Sequence, residues 1–214
     1  MQRILTIVLS LSLAAAGTAS AQQDAPVTVR PGLGLYAPLM PLVAVDNGED
    51  SDVELHPGAA AGLELGVPIT PWIEAYGGAT VVFTRLDHGS GILELRPVDP
   101  SISSRVNLFI PTAGALLRPL SAYRVQPVIR LGAGAKLYDY DLFDIDDPIT
   151  DFVGDIGIGV DADAGDALAL TAEARWLPSS YDPRNLPIRL PESGLQSNQF
   201  QNDWVFQATF TFRP

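Results

Sequence analysis

The sequence predicts an all-β fold, an eight-stranded antiparallel up-and-down barrel. Most of the chain after its N-terminal segment alternates apolar and polar residues with a period of two, as strands with two unlike faces do. Eight such segments occur, and the connections between them are alternately long and short. A barrel with tight turns at one end and long loops at the other has this rhythm, whereas a Greek-key sandwich gives no reason for it.

The first 21 residues are predicted to be a cleaved secretory signal. Arg3 gives a basic start, residues 4–16 form an apolar run, and Ala19-Ser20-Ala21 is a small-residue cleavage site. The run is too short for a spanning helix, which needs about 20 apolar residues. The predicted organisation is therefore a signal peptide at 1–21 and one barrel domain at 22–214.

The first four predicted strands cover residues 27–39, 54–67, 72–84 and 105–117. The first begins the barrel, with Leu33 and Leu35 on one face and Gly34 and Tyr36 on the other. The fourth contains Pro111, which cannot donate a hydrogen bond to a sheet ladder. A β-bulge there would preserve the strand but would shift its faces, so the facing of this strand is left open.

The last four predicted strands cover residues 125–138, 152–162, 167–176 and 204–212. The final strand alternates most regularly: Trp204, Phe206, Ala208, Phe210 and Phe212 point one way, and Val205, Gln207, Thr209 and Thr211 point the other. The long connections are 40–53, 85–104, 139–151 and 178–199, and the short ones are 68–71, 118–123 and 163–166. Both termini therefore belong to the end with the tight turns.

Charge and cysteine content exclude two classes. Without Arg3 the 13 Lys and Arg fall to 12 against 25 Asp and Glu, a net charge of −13 for residues 22–214. Such a chain has no basic surface for nucleic-acid phosphates, so a nucleic-acid partner is not expected. Cysteine is absent, so stability must come from one large hydrogen-bonded architecture rather than from disulfides.

The residues on the polar faces of the strands indicate whether lipid or water surrounds the barrel. The lumen of an eight-stranded barrel is just filled by side chains, and a lining of Leu, Ile, Phe and Trp would overfill it. Charged residues turned inward can neutralise one another, and glycines leave room for them. The predicted lumen charge network is Glu64, Glu74, Arg130, Lys136, Asp161, Glu173 and Arg175. The predicted lipid-facing aromatic belts are Trp72, Phe83, Trp176, Trp204, Phe206, Phe210 and Phe212.

These features together resemble a known family. The signal peptide, the eight alternating strands, the loop rhythm and a last strand ending Phe210-Thr211-Phe212 resemble the small bacterial outer-membrane β-barrels of the OmpA transmembrane-domain and OmpX type. The resemblance covers the whole mature chain and rests on architecture. It implies a monomeric transmembrane barrel in the outer membrane of a Gram-negative bacterium, with outer-membrane lipids and the barrel assembly machinery as partners. Unlike members that end on the aromatic residue, this chain continues with Arg213-Pro214.

No catalytic or phosphate-binding motif is present in its required context. His88 lies in a predicted loop beside Asp87 and Ser90, and His56 lies at the loop end of the second strand. An exposed polar loop explains these residues better than a Ser/His/acid site, so no catalytic residue and no cofactor are predicted. Weak candidates for a hard cation, in a spacing unlike that of an EF-hand, are Asp139, Asp141, Asp144, Asp146 and Asp147.

The sequence thus favours a non-enzymatic, porin-like outer-membrane barrel with a side-chain-filled lumen and acidic extracellular loops, in a structural or adhesive role. Two alternatives remain open at this stage. One is a lipid-modifying enzyme with a site at the rim, and the other is a soluble periplasmic barrel that binds an apolar ligand.

Overall fold

A computed structural model describes residues 27–41, 53–88, 105–120, 123–140, 149–165, 168–181 and 199–212. The predicted signal peptide lies outside these residues and stays a prediction. Within them, no helix is long and apolar enough to cross a membrane. The strands are β1 (Thr28–Pro38), β2 (Val53–Leu55), β3 (Gly58–Thr70), β4 (Ile73–His88), β5 (Arg105–Leu117), β6 (Val125–Tyr140), β7 (Ile149–Asp163), β8 (Leu168–Tyr181) and β9 (Gln199–Phe212).

The strands form one closed antiparallel sheet. β1 pairs with β3 and with β9, β4 pairs with both β3 and β5, and from β5 to β9 each strand pairs with its neighbour in sequence, which closes the ring. β2 and β3 both pair with β4 and form one interrupted strand. At the interruption the backbone N–H of His56 still donates to the carbonyl of Arg85 at 2.8 Å. The nine segments therefore make eight barrel strands, which confirms the predicted fold class.

The outer face of the barrel is apolar and exposed over most of its height. Leu33 on β1 is 71% exposed, Phe152 on β7 is 70% exposed and Ile158 on the same strand is 68% exposed. An apolar surface of this size around a whole barrel is that of a protein surrounded by lipid. A soluble barrel would place these side chains in contact with water, so the soluble alternative is wrong.

Three prolines interrupt backbone ladders without changing the register. Pairing between β5 and β6 is missing around Pro111, yet Phe109 opposite Leu137 and Thr112 opposite Gly134 belong to one register. The same gap occurs at Pro31 between β1 and β9 and at Pro178 between β7 and β8. Because proline lacks the donor N–H, the ladder loses bonds on one side only. β5 thus needs no bulge, and Pro111 lies on its outer face.

The strands extend beyond the predicted bounds at the end of the long connections, here called the loop end. β4 continues to His88, β6 to Tyr140 and β8 to Tyr181, and β9 begins at Gln199. A spanning strand needs about 9 to 11 residues, so the longer strands of this barrel extend beyond the hydrocarbon layer. Near the loop end of β2, β4 and β5 the polarity reverses: Glu54, Arg85 and Arg105 are exposed on the outer face, while Leu55, Leu86 and Val106 point inward and are buried. The expected alternation ends there, which is why sequence patterns place these segments in loops.

Candidate functional site in the lumen

A buried ionic cluster, here called the central cluster, occupies the middle of the lumen. Arg130 binds Glu64 (Nη1 to Oε1, 2.9 Å) and Glu173 (Nη2 to Oε1, 2.8 Å). Arg175 holds Asp155 with two bonds, from Nε to Oδ1 at 2.9 Å and from Nη2 to Oδ2 at 2.8 Å. Arg130 also lies 3.6 Å from Asp155. All five side chains are at most 5% exposed, so their mutual pairing replaces the water that each charge gives up.

Neutral side chains complete the hydrogen bonding of the central cluster. The hydroxyl of Tyr76 donates to Asp155 Oδ2 at 2.7 Å, and the guanidinium of Arg130 lies over the Tyr76 ring at 4.4 Å. Arg175 donates to the hydroxyl oxygens of Thr80 at 3.1 Å and Thr112 at 3.3 Å. These partners come from strands on opposite sides of the barrel, so the cluster spans the lumen.

A second ionic cluster, here called the turn-end cluster, lies toward the tight turns. Arg118 binds Glu74 (Nη1 to Oε2, 2.6 Å) and Asp161 (Nε to Oδ2, 3.1 Å). Arg30 also binds Glu74, and the hydroxyl of Thr28 donates to the same carboxylate at 2.8 Å. Arg118 is only 11% exposed although it belongs to the turn after β5, because its side chain reaches back into the barrel.

Toward the loop end the lumen becomes apolar. Lys136 pairs with Asp203, and its ammonium lies 5.0 Å from the ring of Tyr138 and 5.8 Å from that of Tyr36. The two charged side chains are fully buried. Around them lies a buried apolar cluster, formed by Tyr36, Leu55, Ala60, Val82, Leu86, Val106, Leu108, Ile110, Tyr138, Val153, Leu177, Tyr181 and Val205. This end of the barrel therefore resembles the core of a soluble protein.

The geometry gives the lumen two different barriers in series. The ionic clusters fill the middle and the turn end with paired charges, and the apolar cluster fills the loop end. An ion that crosses would have to break buried ion pairs and also enter an apolar layer, and both steps are unfavourable. Among the described residues, no group of three or more His, Asp and Glu is arranged to hold a metal ion.

The structure brings most of the predicted lumen residues together but divides them into groups. Glu64, Arg130, Glu173 and Arg175 lie in the central cluster, Glu74 and Asp161 lie in the turn-end cluster, and Lys136 stands apart with Asp203. The prediction omitted four partners, which are Arg30, Asp155, Asp203 and Arg118. Arg30 and Asp155 occupy positions of the same parity as the predicted inward residues, so alternation alone identifies them. Asp203 directly precedes the predicted last strand and Arg118 lies in a predicted turn, and periodicity gives no signal at either position.

The predicted aromatic residues all lie on described segments. Trp176 and Trp204 stand directly opposite each other on β8 and β9, and Trp176 Nε1 donates to Asn202 Oδ1 at 2.5 Å. Trp72 lies in the tight turn between β3 and β4 and is half exposed. The others point outward, Phe83 near the loop end of β4 and Phe206, Phe210 and Phe212 along β9. Two of the β9 residues, Phe206 and Phe210, lie between the two rims of the barrel rather than at a rim.

The residues considered as a catalytic or metal-binding site are separated from one another or lie outside the residues that the structure describes. His56 is exposed at the interruption between β2 and β3, and its carbonyl accepts a hydrogen bond from Thr84. His88 ends β4, and Ser90 lies outside the described residues. Asp139 is part of β6, opposite Asn107, rather than part of a loop. The other acidic candidates, Asp141, Asp144, Asp146 and Asp147, also lie outside the described residues.

Comparison with solved structures identifies the architecture. Neisserial surface protein A is 14% identical, with 88% of this chain and 96% of that chain covered and a TM-score of 0.53. OprG from Pseudomonas aeruginosa is 12% identical, with 89% and 96% covered and a TM-score of 0.53. The outer membrane protein AlkL is 12% identical, with 89% and 92% covered and the same TM-score.

No protein-family model and no curated protein matches the chain. The solved structures are all outer-membrane barrels, and they share with this chain the closed eight-stranded sheet, while its apolar outer face is that of a barrel in lipid. The chain therefore has the fold of the small eight-stranded bacterial outer-membrane β-barrels, and it is an outer-membrane β-barrel protein.

Proposed function

We propose that the protein is a closed, non-enzymatic outer-membrane barrel whose role is structural or adhesive. It acts as a monomer, its direct partners are outer-membrane lipids and, during biogenesis, the barrel assembly machinery, and its long acidic connections make the contacts with other molecules. The observation that carries the proposal is the filled lumen, in which buried ion pairs are followed by a buried apolar layer. A barrel that passes nothing through its interior acts through its rims and its outer surface.

The acidic connections supply the adhesive surface in this proposal. Residues 42–52 contain Asp46, Glu49, Asp50 and Asp52 and no basic residue. Residues 141–148 contain four aspartates and likewise no basic residue. Both segments connect strands at the loop end, which in barrels of this kind faces the cell exterior. A concentration of one sign of charge favours encounter with surfaces of the opposite sign.

Conductance measures whether the lumen is closed. The purified barrel is inserted into a planar lipid bilayer and current is recorded under voltage. We expect no stepwise conductance from the native protein, because the charged and apolar layers block a hydrated path. Steady ion-conducting steps from the native barrel would contradict the closed lumen.

Attachment tests the adhesive part of the role. Cells that display the barrel are incubated with polylysine-coated and uncoated beads at low and high salt. We expect preferential attachment to coated beads that weakens with salt and falls when Asp144, Asp146 and Asp147 are replaced by Asn. The matched control is Asp166→Asn, in the short turn at the opposite end of the barrel. Equal attachment by all variants would contradict the proposal that the acidic connections mediate adhesion.

A further inference from the structure

One arginine of the lumen does not belong to a strand. Arg118 follows the last residue of β5, whereas the other charged members of the central and turn-end clusters lie on strands. Its backbone N–H donates to the carbonyl of Trp72 at 2.8 Å, but its side chain turns inward and is only 11% exposed. A side chain that enters from a turn can leave the lumen without breaking a bond between strands.

The side chain of Arg118 crosses the mouth of the barrel at the turn end. It binds Glu74 on β4 at 2.6 Å and Asp161 on β7 at 3.1 Å, and β6 lies between β5 and β7. The register of β5 with β6 places Val128 beside the arginine, and Gln126 lies opposite Asp161. Both β6 side chains are buried. The arginine therefore lies between these side chains and the solution at the turn end.

Departure of this arginine leaves neither of its carboxylates without a partner. Glu74 keeps the guanidinium of Arg30 and the hydroxyl of Thr28, which donates at 2.8 Å. Asp161 keeps the hydroxyl of Thr171, which donates at 3.0 Å. Because an unpaired buried charge is the main cost of breaking a buried ion pair, these remaining partners lower the free energy needed to open the mouth.

We propose that Arg118 is a mobile latch, which closes the turn-end mouth of the lumen and swings outward to admit water and small solutes. The open mouth leads to a blind vestibule, because the central cluster and the buried apolar cluster still fill the lumen beyond it. The vestibule is acidic, since Glu74 and Asp161 then keep one paired guanidinium, that of Arg30. It therefore favours cationic over anionic solutes of the same size. The barrel conducts no ions with the latch open or closed.

Thiol labelling tests the latch, because the chain has no cysteine of its own. Val128→Cys places a single reporter behind the latch, and Val205→Cys places a control reporter in the buried apolar cluster. Each reporter is combined with native Arg118, with Arg118→Gln or with Arg124→Gln, which changes an exposed arginine of the same connection. The barrel in detergent is then reacted with a neutral, water-soluble methanethiosulfonate, and the labelled fraction is followed by mass spectrometry.

We expect Arg118→Gln to raise the labelling rate at Val128→Cys about tenfold or more, since each charge-assisted hydrogen bond favours the closed state by about tenfold or more. Arg124→Gln should leave this rate unchanged, and Val205→Cys should stay protected in every background. With native Arg118, higher ionic strength should accelerate labelling at Val128→Cys, because salt weakens a partly exposed ion pair. With Arg118→Gln, a cationic reagent should react faster than an anionic one of the same size.

Equal labelling rates with native Arg118 and Arg118→Gln overturn the latch, and a rate with native Arg118 that does not respond to salt overturns its mobility. Equal acceleration by Arg124→Gln, or labelling at Val205→Cys, also overturns the proposal, because the whole barrel would then be loosened. Faster reaction of the anionic reagent overturns the acidic vestibule. Heat-modifiable migration on a denaturing gel verifies that each variant is folded, and Gln126→Cys is the second reporter if Val128→Cys does not fold.

Discussion

At the scale of single residues, the lumen depends on a match between glycines and long side chains. Gly132 on β6 lies beside the hydroxyl of Tyr76, which in turn donates to Asp155 at 2.7 Å. A methyl group at Gly132 would collide with that hydroxyl and with a backbone carbonyl. Gly77 faces outward, and a methyl group there meets no heavy atom within 4 Å. Comparing alanine substitutions at these two glycines therefore separates the effect of limited space in the lumen from the effect of replacing a glycine by an alanine.

We expect Gly132→Ala to lower the free energy of unfolding by about 1 to 3 kcal/mol, since overpacking forces its neighbours out of place. Gly77→Ala, the matched control, should change it by less than about 0.5 kcal/mol. Urea unfolding of both variants in lipid vesicles, followed by tryptophan fluorescence, measures the difference. Equal stabilities would mean that the Tyr76 hydroxyl can move without loss.

Removing one member of a buried ion pair should lower the free energy of unfolding more than Gly132→Ala does. Arg175→Met should lower the free energy of unfolding by about 3 to 5 kcal/mol, because Asp155 then keeps a buried charge without its bidentate partner. In the same urea experiment, Arg175→Met/Asp155→Asn should regain part of the loss. A single variant as stable as the native protein would show that Arg130 and Tyr76 alone satisfy Asp155.

At the scale of strands, β9 shows how depth in the membrane controls the tolerance for charge. Ala208, Phe210 and Phe212 all point outward, and Phe212 is the last residue of the strand. Trp204 and Asn202 mark the other edge of its apolar stretch, so Ala208 lies near the middle. The sequence alone indicated the outward face but not the depth of each residue, since the loop end of β9 lacks the regular alternation.

An arginine scan along β9 should therefore show a gradient. Ala208→Arg should destabilise the barrel by about 2 to 4 kcal/mol and Phe212→Arg by about 0 to 1 kcal/mol, with Phe210→Arg between them. Unfolding free energies in vesicles measure the series. A flat series, or a larger effect at Phe212 than at Ala208, would contradict the membrane position described for this strand.

At the scale of the whole molecule, the closed sheet predicts resistance to detergent. The pairing of β1 with β9 leaves no open edge, and no cysteine contributes a covalent link. We expect the purified protein to migrate differently on a denaturing gel before and after boiling, with or without reductant, because detergent alone does not open a hydrogen-bonded ring. Identical migration before and after boiling would contradict a stable closed barrel.

The part of the fold inside the membrane could be predicted from the sequence, and the part above it could not. Alternation identified eight strands and the inward side of Glu64, Arg130 and Glu173, since one face meets lipid and the other the lumen. At the loop end of β4 and β5, Arg85 and Arg105 lie on the outer face and Leu86 and Val106 on the inner face, so the same rule fails there. The partners in each ion pair depend on how the sheet closes, and local spacing does not contain that information.

The proline gaps also bear on how the ring can come apart. Pro31 lies in the junction between the first and the last strand, where pairing passes from Val29 opposite Phe212 directly to Gly32 opposite Thr209. This junction has no connecting turn, and its ladder has fewer backbone bonds near the turn end. Under a pulling force, we therefore expect the β1–β9 junction to separate first. During insertion into the membrane, we expect the pairing of β1 with β9 to form last.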